Sequence, residues 1–340
     1  MKIALDAFGG DFAPYSNIEG AIAARKEYGV EVALVGKMET VKAAAAEKGF
    51  DLSGVELVDA EDVFDMHRTP TDLIKEGKNT SLAVAMQLCA DGKADAVVSA
   101  GSTGAIVVGG TFLCKRIKGV KRAALGSVLP TEKGQVFMMD IGANADCRPE
   151  MVQQFGVMAS AYLNKVCGIE DPTVGLLNIG TEETKGGEAQ LEAYRLLSKA
   201  PIHFVGNVES RELPGNSPDA VVTDGFTGNI ALKLYEGVAD HLFSLIKAAF
   251  KTNLKTKIAG VLVKPSLKGL KKKFDASEIG GAPLLGVRVP VIKAHGNSNA
   301  KAVKNAIRQA KAAVENDLCG AIAEGMAVLN QSEEKEEPSC

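Results

Sequence analysis

The sequence predicts an α/β fold: three layers, helix–sheet–helix, around a mostly parallel sheet, with a basic amphipathic helical hairpin protruding from it. Three observations predict this. Short apolar runs alternate with helical stretches along most of the 340 residues, the pattern of strand–crossover–strand units. Six of the apolar runs end in glycine-rich turns that lead straight into a helical pattern. Near 251–274 the alternation gives way to a segment with eight lysines and no acid.

Taken in order, 2–7 is the first apolar run, ending in FGGD, and Pro14 precedes a helical pattern to about residue 28. Residues 30–36 read as the next strand, the alanine-rich 38–48 as a helix, and 55–59 as a third strand. The polar stretch 62–78 reads as a loop or broken helix, after which Thr80 or Ser81 caps a helix reaching Ala90. Residues 94–99 are a strand, and GSTG opens the unusually apolar helix AIVVGGTFL. Strands follow at 123–129 and 136–141, then a helix from Pro149 to about 166. A strand at 174–179, a helix, and strands at 202–205 and 220–223 lead to a helix from Thr227 to about Phe250.

In the lysine-rich segment, Leu254, Ile258, Val261 and Leu262 share one helical face, and Leu267, Leu270 and Phe274 do the same after Pro265. Proline breaks a helix interior, so 251–275 is expected to hold two short basic helices in a hairpin. A lysine-rich face is often plain solvated charge. Eight lysines alternating with leucines and valines also suit an anionic membrane surface or an acidic partner. After Gly280 and Gly281 the reading is a strand at 284–292, the turn KAHGNSN and a long helix through Arg308. The domain expectation is one α/β catalytic unit over 1–330, with room for two subdomains, and a disordered charged tail at 331–340.

Composition excludes several classes. The net charge is −3 and Trp is absent, so neither a nucleic-acid footprint nor stacking platforms are indicated. The six cysteines include no CxxC pair, which fits reduced thiols in a cytoplasm and no zinc site. The opening MKIALDAFGG lacks the apolar region of a signal peptide, and no run of 18 uncharged apolar residues spans a membrane.

The six turns are DAFGGD at 6–11, SAGSTG at 99–104, DIGANAD at 140–146, NIGTEETKGG at 178–187, TDGFTGN at 223–229 and KAHGNSN at 293–299. In a parallel sheet all lie at the carboxyl ends of strands, where ligands bind. Glycine lets backbone approach an anion, and helix N-termini supply free N–H groups. The expectation is a shared, phosphate-sized rim. No turn matches GxGxxG or GxxxxGK[ST], so nucleotide loops are not indicated.

Each residue has a plainer role beside the functional one. Asp224 or Thr227 can simply cap the next helix. His295 can be an N-cap, Lys185 solvated charge, and Asn144 and Asn229 residues that tolerate left-handed turns. Asp6 and Asp140 end apolar strands, where an acid needs a hydrogen-bonding partner.

The blocks LDAFGGDFAP, SAGSTGA, DIGANAD, LLNIGTE, FVGNVESREL, VVTDGFTGN and PVIKAHGNSNAKAVKNAIRQA, in order over roughly 1–315, resemble the motifs of the PlsX family of bacterial phosphate acyltransferases. The resemblance implies an isocitrate/isopropylmalate dehydrogenase-like fold, shared with phosphotransacetylase. It implies a homodimer with no metal and no nucleotide cofactor. The reaction implied moves a fatty acyl group from acyl carrier protein to inorganic phosphate. The acyl phosphate then feeds a membrane glycerol-3-phosphate acyltransferase, which places the enzyme in the cytoplasm at the inner face of the membrane. Nucleic acid is not an implied partner. The family usually has His where this chain has Phe12 and often Asn where it has Ser102, so a catalytic role at position 12 does not carry over.

For that chemistry the residues suggest a division of labour. Phosphate binding falls to Gly9, Gly10, Asp11, Gly101, Ser102, Thr103, Gly104, Gly142, Asn144, Thr227 and Asn297, with Lys185. Asp224 is the candidate base or the group orienting the phosphate proton, and His295 and Asn229 are candidate polarising groups. Lys264, Lys268, Lys271, Lys272 and Lys273 would face the carrier protein or the membrane. Two rivals share the features: a short-chain phosphotransacetylase using coenzyme A, and a peripheral membrane scaffold whose site has decayed.

Overall fold

The computed structural model describes residues 1–132, 134–274 and 276–336. Its first half runs β1 (Lys2–Asp6), α1 (Tyr15–Tyr28), β2 (Glu31–Gly36), α2 (Met38–Lys48), β3 (Glu56–Asp59), α3 (Asp72–Lys75), α4 (Ser81–Ala90), β4 (Ala96–Ser99), α5 (Thr103–Phe112), β5 (Ala124–Thr131) and β6 (Gly134–Met139). It continues with α6 (Pro149–Cys167), β7 (Thr173–Asn178), α7 (Glu188–Leu197), β8 (His203–Glu209), β9 (Ala220–Val222), α8 (Gly225–Ala249), α9 (Leu254–Lys273), α10 (Ala276–Ile279), β10 (Ala282–Leu285), β11 (Val291–Lys293), α11 (Ala300–Glu315) and α12 (Leu318–Glu336).

One eleven-stranded sheet, ordered β3-β2-β1-β4-β11-β10-β5-β6-β9-β7-β8, forms the middle layer. Its strands are apolar on both faces because helices cover both. One face packs on α1, α2 and α11 through Ile3, Leu34, Val98 and Ile307, and on α6, α7 and α12 through Phe137, Phe155, Leu197 and Met326. The other face packs on α3, α4 and α5 through Leu73, Met86, Val97 and Ile106, and on α8 through Met138, Val221 and Leu232. Ile141 touches both clusters of this second face, at the boundary between α5 and α8. The three-layer α/β expectation therefore holds.

Three local expectations are corrected. The strand expected at 284–292 is two antiparallel strands, β10 and β11, because Gly286 turns the chain at φ +86° and Pro290 precedes the second strand. Pro265 lies inside a continuous α9. The hairpin is instead α8 and α9, joined around Phe250–Asn253, and Asn253 caps α9 by accepting a hydrogen bond from Thr256 N–H. Contacts with the rest of the hairpin hold α9 on either side of the proline: Phe274 packs on Tyr235 and Phe243 of α8, and Phe250 lies against Gly260. At the carboxyl end, α12 runs to Glu336, into the stretch expected as a tail, since Glu and Lys are good helix formers. Residues 337–340, and Asp275 of the expected hairpin, lie outside the described residues.

Candidate active site

Strand direction decides which turns meet. β1, β4 and β11 run one way. β10 is antiparallel to β11 and to β5, and β5 is antiparallel to β6, so β6, β9 and β7 run the other way. The turns at 6–11, 99–104 and 293–299 therefore leave the strands at one end, and those at 140–146, 178–187 and 223–229 leave them at the opposite end. β4 and β6 are four positions apart in the strand order, about 19 Å at ~4.8 Å per strand spacing. One phosphate cannot touch the backbone of both sets, so the shared rim of six turns is corrected to two separate clusters.

The first cluster is interlocked. A Cβ on Gly9 would lie 2.7 Å from Gly101 N, and one on Gly10 would lie 2.9 Å from the Gly296 carbonyl. Asp11 N–H donates to that same carbonyl at 2.8 Å. Asp6 lies buried beneath these turns and accepts from Ser99 Oγ at 2.7 Å and Phe8 N–H at 3.1 Å. Burial pushes its carboxyl upward, and the hydroxyls of Ser81 and Ser99 with the N–H groups of Phe8 and Gly9 oppose that. Gly101 N–H donates to Ser99 Oγ. The N–H groups of Gly9 and Gly101 are thus already engaged, which corrects their assignment to phosphate.

What stays open in this cluster is the start of α5, where Ser102 supplies no side-chain cap to the N–H groups of Thr103, Gly104 and Ala105. Nearby, β11 pairs with β4 so that Lys293 stands opposite Ser99. The Lys293 ammonium has one long bond, to the Ala294 carbonyl at 3.4 Å, and no carboxylate in ion-pair range among the described residues. Burial holds it below the usual lysine range, the Lys233 charge adds to that, and Glu236 opposes it. His295 and Asn297 are exposed, with Asn297 N–H directed at His295 Nδ1 at 3.4 Å, and the buried Ser298 Oγ has no hydrogen-bond partner among the described residues. The carboxylate of Asp11 is exposed beside Gly296.

The second cluster is closed by a carboxylate of its own. Asp140 is fully buried and accepts from the N–H groups of Leu125, Gly142, Ala143 and Asn144 and from Asn144 Nδ2, at 2.8–3.1 Å. Burial pushes this carboxyl upward, but only donors surround it, so the ionised form is the one that fits. Gly142 and Asn144 therefore hold Asp140, which corrects their assignment to phosphate.

Asp224 is the N-cap of α8: Oδ1 accepts from Thr227 N–H and Oδ2 from Thr227 Oγ1, both at 2.8 Å. The plainer capping role is the one its geometry fits. Asn229 is exposed and lies against Gly142. Gly225 N–H donates to the Asn144 carbonyl at 2.8 Å, which docks the start of α8 on the Asp140 turn. Burial pushes the nearby Cys147 thiol up to about 11, so it is no nucleophile at neutral pH.

Lys185 stands apart, 3.7 Å from Glu182 in its own loop, with its carbonyl held by Asn178. Lys264, Lys268, Lys271, Lys272 and Lys273 are all exposed on α9, and among the described residues only Lys272 approaches an acid, Glu278 at 3.6 Å. Lys293 and Ser298 were not singled out from sequence. The available signal for Lys293 was a lysine ending the apolar run PVI, the same anomaly that marked Asp6 and Asp140. Among the described residues no group of three or more His, Cys, Asp or Glu is placed to hold a metal ion.

Residues 1–321 match the family described as Fatty acid synthesis protein. The chain is 44% identical over 333 residues to the phosphate acyltransferase of Alkaliphilus oremlandii, covering 98% of this chain and 99% of that protein. It is 48% identical over 320 residues to that of Pelotomaculum thermopropionicum, covering 94% and 93%. A phosphotransacetylase from Streptococcus pyogenes superposes with a TM-score of 0.61 at 18% identity, covering 96% of this chain and 94% of that one. The EutD phosphotransacetylase from Staphylococcus aureus gives 0.59 at 16%, covering 92% and 94%. At such identities the structural likeness shows a shared fold.

Proposed function

The chain belongs to the fatty acid synthesis protein family, and we propose that it moves a long-chain acyl group from an acyl carrier protein thioester to inorganic phosphate. Acyl transfer to phosphate is the activity its phosphate acyltransferase relatives carry in their name. The observation that supports an acceptor site is the pairing of an uncapped α5 N-terminus with a lysine that lacks a carboxylate partner among the described residues, at adjacent strand ends. Helix N-termini and lysine ammonium groups both favour a phosphate dianion.

The chemistry needs little more than positioning. A phosphate oxygen attacks the thioester carbonyl, a C–O bond forms, and the C–S bond breaks. The phosphate proton ends on the departing sulfur, giving acyl phosphate and free thiol. In this reading the α5 N–H groups and Lys293 hold the phosphate and His295 polarises the carbonyl, while Asn229, lying against Gly142 in the second cluster, is too far away to share that role. Asp224 sets the start of α8. The Asp140 turn fixes where α8 docks.

The acyl phosphate would be consumed by a glycerol-3-phosphate acyltransferase in phospholipid synthesis. Two exposed apolar stripes support an assembled, membrane-peripheral enzyme. Phe226, Ile230, Leu234, Val238 and Leu242 follow one face of α8, which suits a homodimer contact. Leu254, Ile258, Val261 and Leu262 follow α9 among exposed lysines, which suits an anionic membrane surface. No helix among the described residues is long and apolar enough to cross a membrane.

Thiol release from palmitoyl carrier protein, measured with and without phosphate, tests the reading. Phosphate-dependent release is expected. A preference for acetyl-CoA would replace it with short-chain phosphotransacetylation. No release from either donor would leave only a scaffold.

A further inference from the structure

A second basic site lies at the other end of α5. Between the last turns of that helix, the loop before β5 and the start of α6 is a cavity of about 500 Å³. Arg116, Lys121, Arg122 and Arg148 line it, and no acid does. Arg116 is held in place by the carbonyls of Val120 and Lys121. The side chains of Lys121, Arg122 and Arg148 have no hydrogen bond or ion pair to any described residue. Three uncompensated cations around one concavity are an anion site in search of an anion. The remaining wall is largely apolar and includes the exposed Phe112 and the buried Met151, and Asn144 connects it to the Asp140 turn.

The cavity and the acceptor site share α5. From Thr103 to Phe112 the helix rises about 14 Å at ~1.5 Å per residue. A pantetheine arm has about 13 bonds between its phosphorus and its sulfur, and at roughly 1.2 Å of reach per bond it spans about 16 Å. A phosphate ester seated at the cavity would therefore bring its thioester to the start of α5, where phosphate waits. We propose that this cavity binds the phosphate ester of the donor's pantetheine arm, so that α5 serves as the gauge between arm and acceptor. The assignment rests on the acyl-transfer reading above and names the part of the donor that the enzyme grips. The apolar wall suits the dimethyl and methylene groups of the arm.

Titration calorimetry on the full chain tests it, with 4′-phosphopantetheine, pantetheine and inorganic phosphate as probes. Wild type is expected to bind 4′-phosphopantetheine at least about tenfold more tightly than pantetheine, the factor a single charge-assisted contact supplies. Combined Lys121→Gln, Arg122→Gln and Arg148→Gln substitutions bring that ratio near one. They also raise the donor KM about tenfold or more, with the phosphate KM unchanged. These side chains make no bond whose loss would unfold the chain. Equal binding of the two probes by wild type would overturn the proposal, as would a ratio that survives the substitutions. Inorganic phosphate displacing the arm at its own KM would also overturn it, by making the cavity the acceptor site. Absence of acyl transfer by wild type would sink the proposed function and leave this binding comparison intact.

Discussion

Gly228→Ala probes the joint between the two turns at the heart of the second cluster. A Cβ at Gly228 would lie 1.9 Å from the Asp140 carbonyl oxygen. A close C···O contact is about 3.3 Å, so α8 and the Asp140 turn must part by roughly 1.4 Å. Neither side can yield cheaply, because Asp140 is buried under five donors and Gly225 N–H ties α8 to Asn144. Overpacking of this kind costs about 1–3 kcal/mol, which lowers Tm on the order of 2–6 °C. α8 also carries Lys233, whose charge acts on Lys293, and a displacement near 1 Å costs about a hundredfold in rate when it misplaces a reacting group. Calorimetry and phosphate-dependent thiol release read the two effects. Gly237→Ala, in the same helix with nothing within 4 Å, is the control, and it should gain about 0.5–1 kcal/mol. Wild-type Tm and activity in Gly228→Ala would refute the claim that this contact positions the site.

Asp224→Asn preserves the cap on Thr227, so Tm should hold and turnover should fall less than tenfold. A loss of about 10² or more at unchanged Tm would restore the carboxylate as a base. Lys293→Met removes a buried amine without a carboxylate partner, so stability is retained while the phosphate KM rises about tenfold or more. An unchanged phosphate KM removes Lys293 from the acceptor site. Replacing Lys268, Lys271, Lys272 and Lys273 with Gln should weaken binding to anionic vesicles at low salt, where screening is least. Equal vesicle binding by the variant discards α9 as the membrane face.

The alternation of apolar runs and helices was enough to read the layered sheet, and most element boundaries follow from it. Thr80 caps α4 and Pro149 starts α6, as their residue types demand. The reversal at β5–β6 was not legible, because a strand's local pattern is the same whichever way it runs. That reversal is why six similar turns became two clusters. Nor was it visible which N–H groups remain free, since that depends on where Asp6 and Asp140 point. Pro265 misled for a related reason: propensity is local, and the aromatic contacts of Phe274 with α8 are not. Lys293 was legible by the rule applied to acids at strand ends, and the rule needed only to be extended to amines.

The Asp140 turn has a consequence for how this protein responds to its own substrate. A loop built to wrap an anion normally empties and fills with the solution around it. Here the ligand is part of the chain, so its local concentration is fixed and dilution cannot remove it. Free phosphate cannot compete for those N–H groups, however abundant it becomes. The turn therefore behaves as a permanently loaded receptor, and in the proposed reading the open start of α5 is the place left for the phosphate that varies.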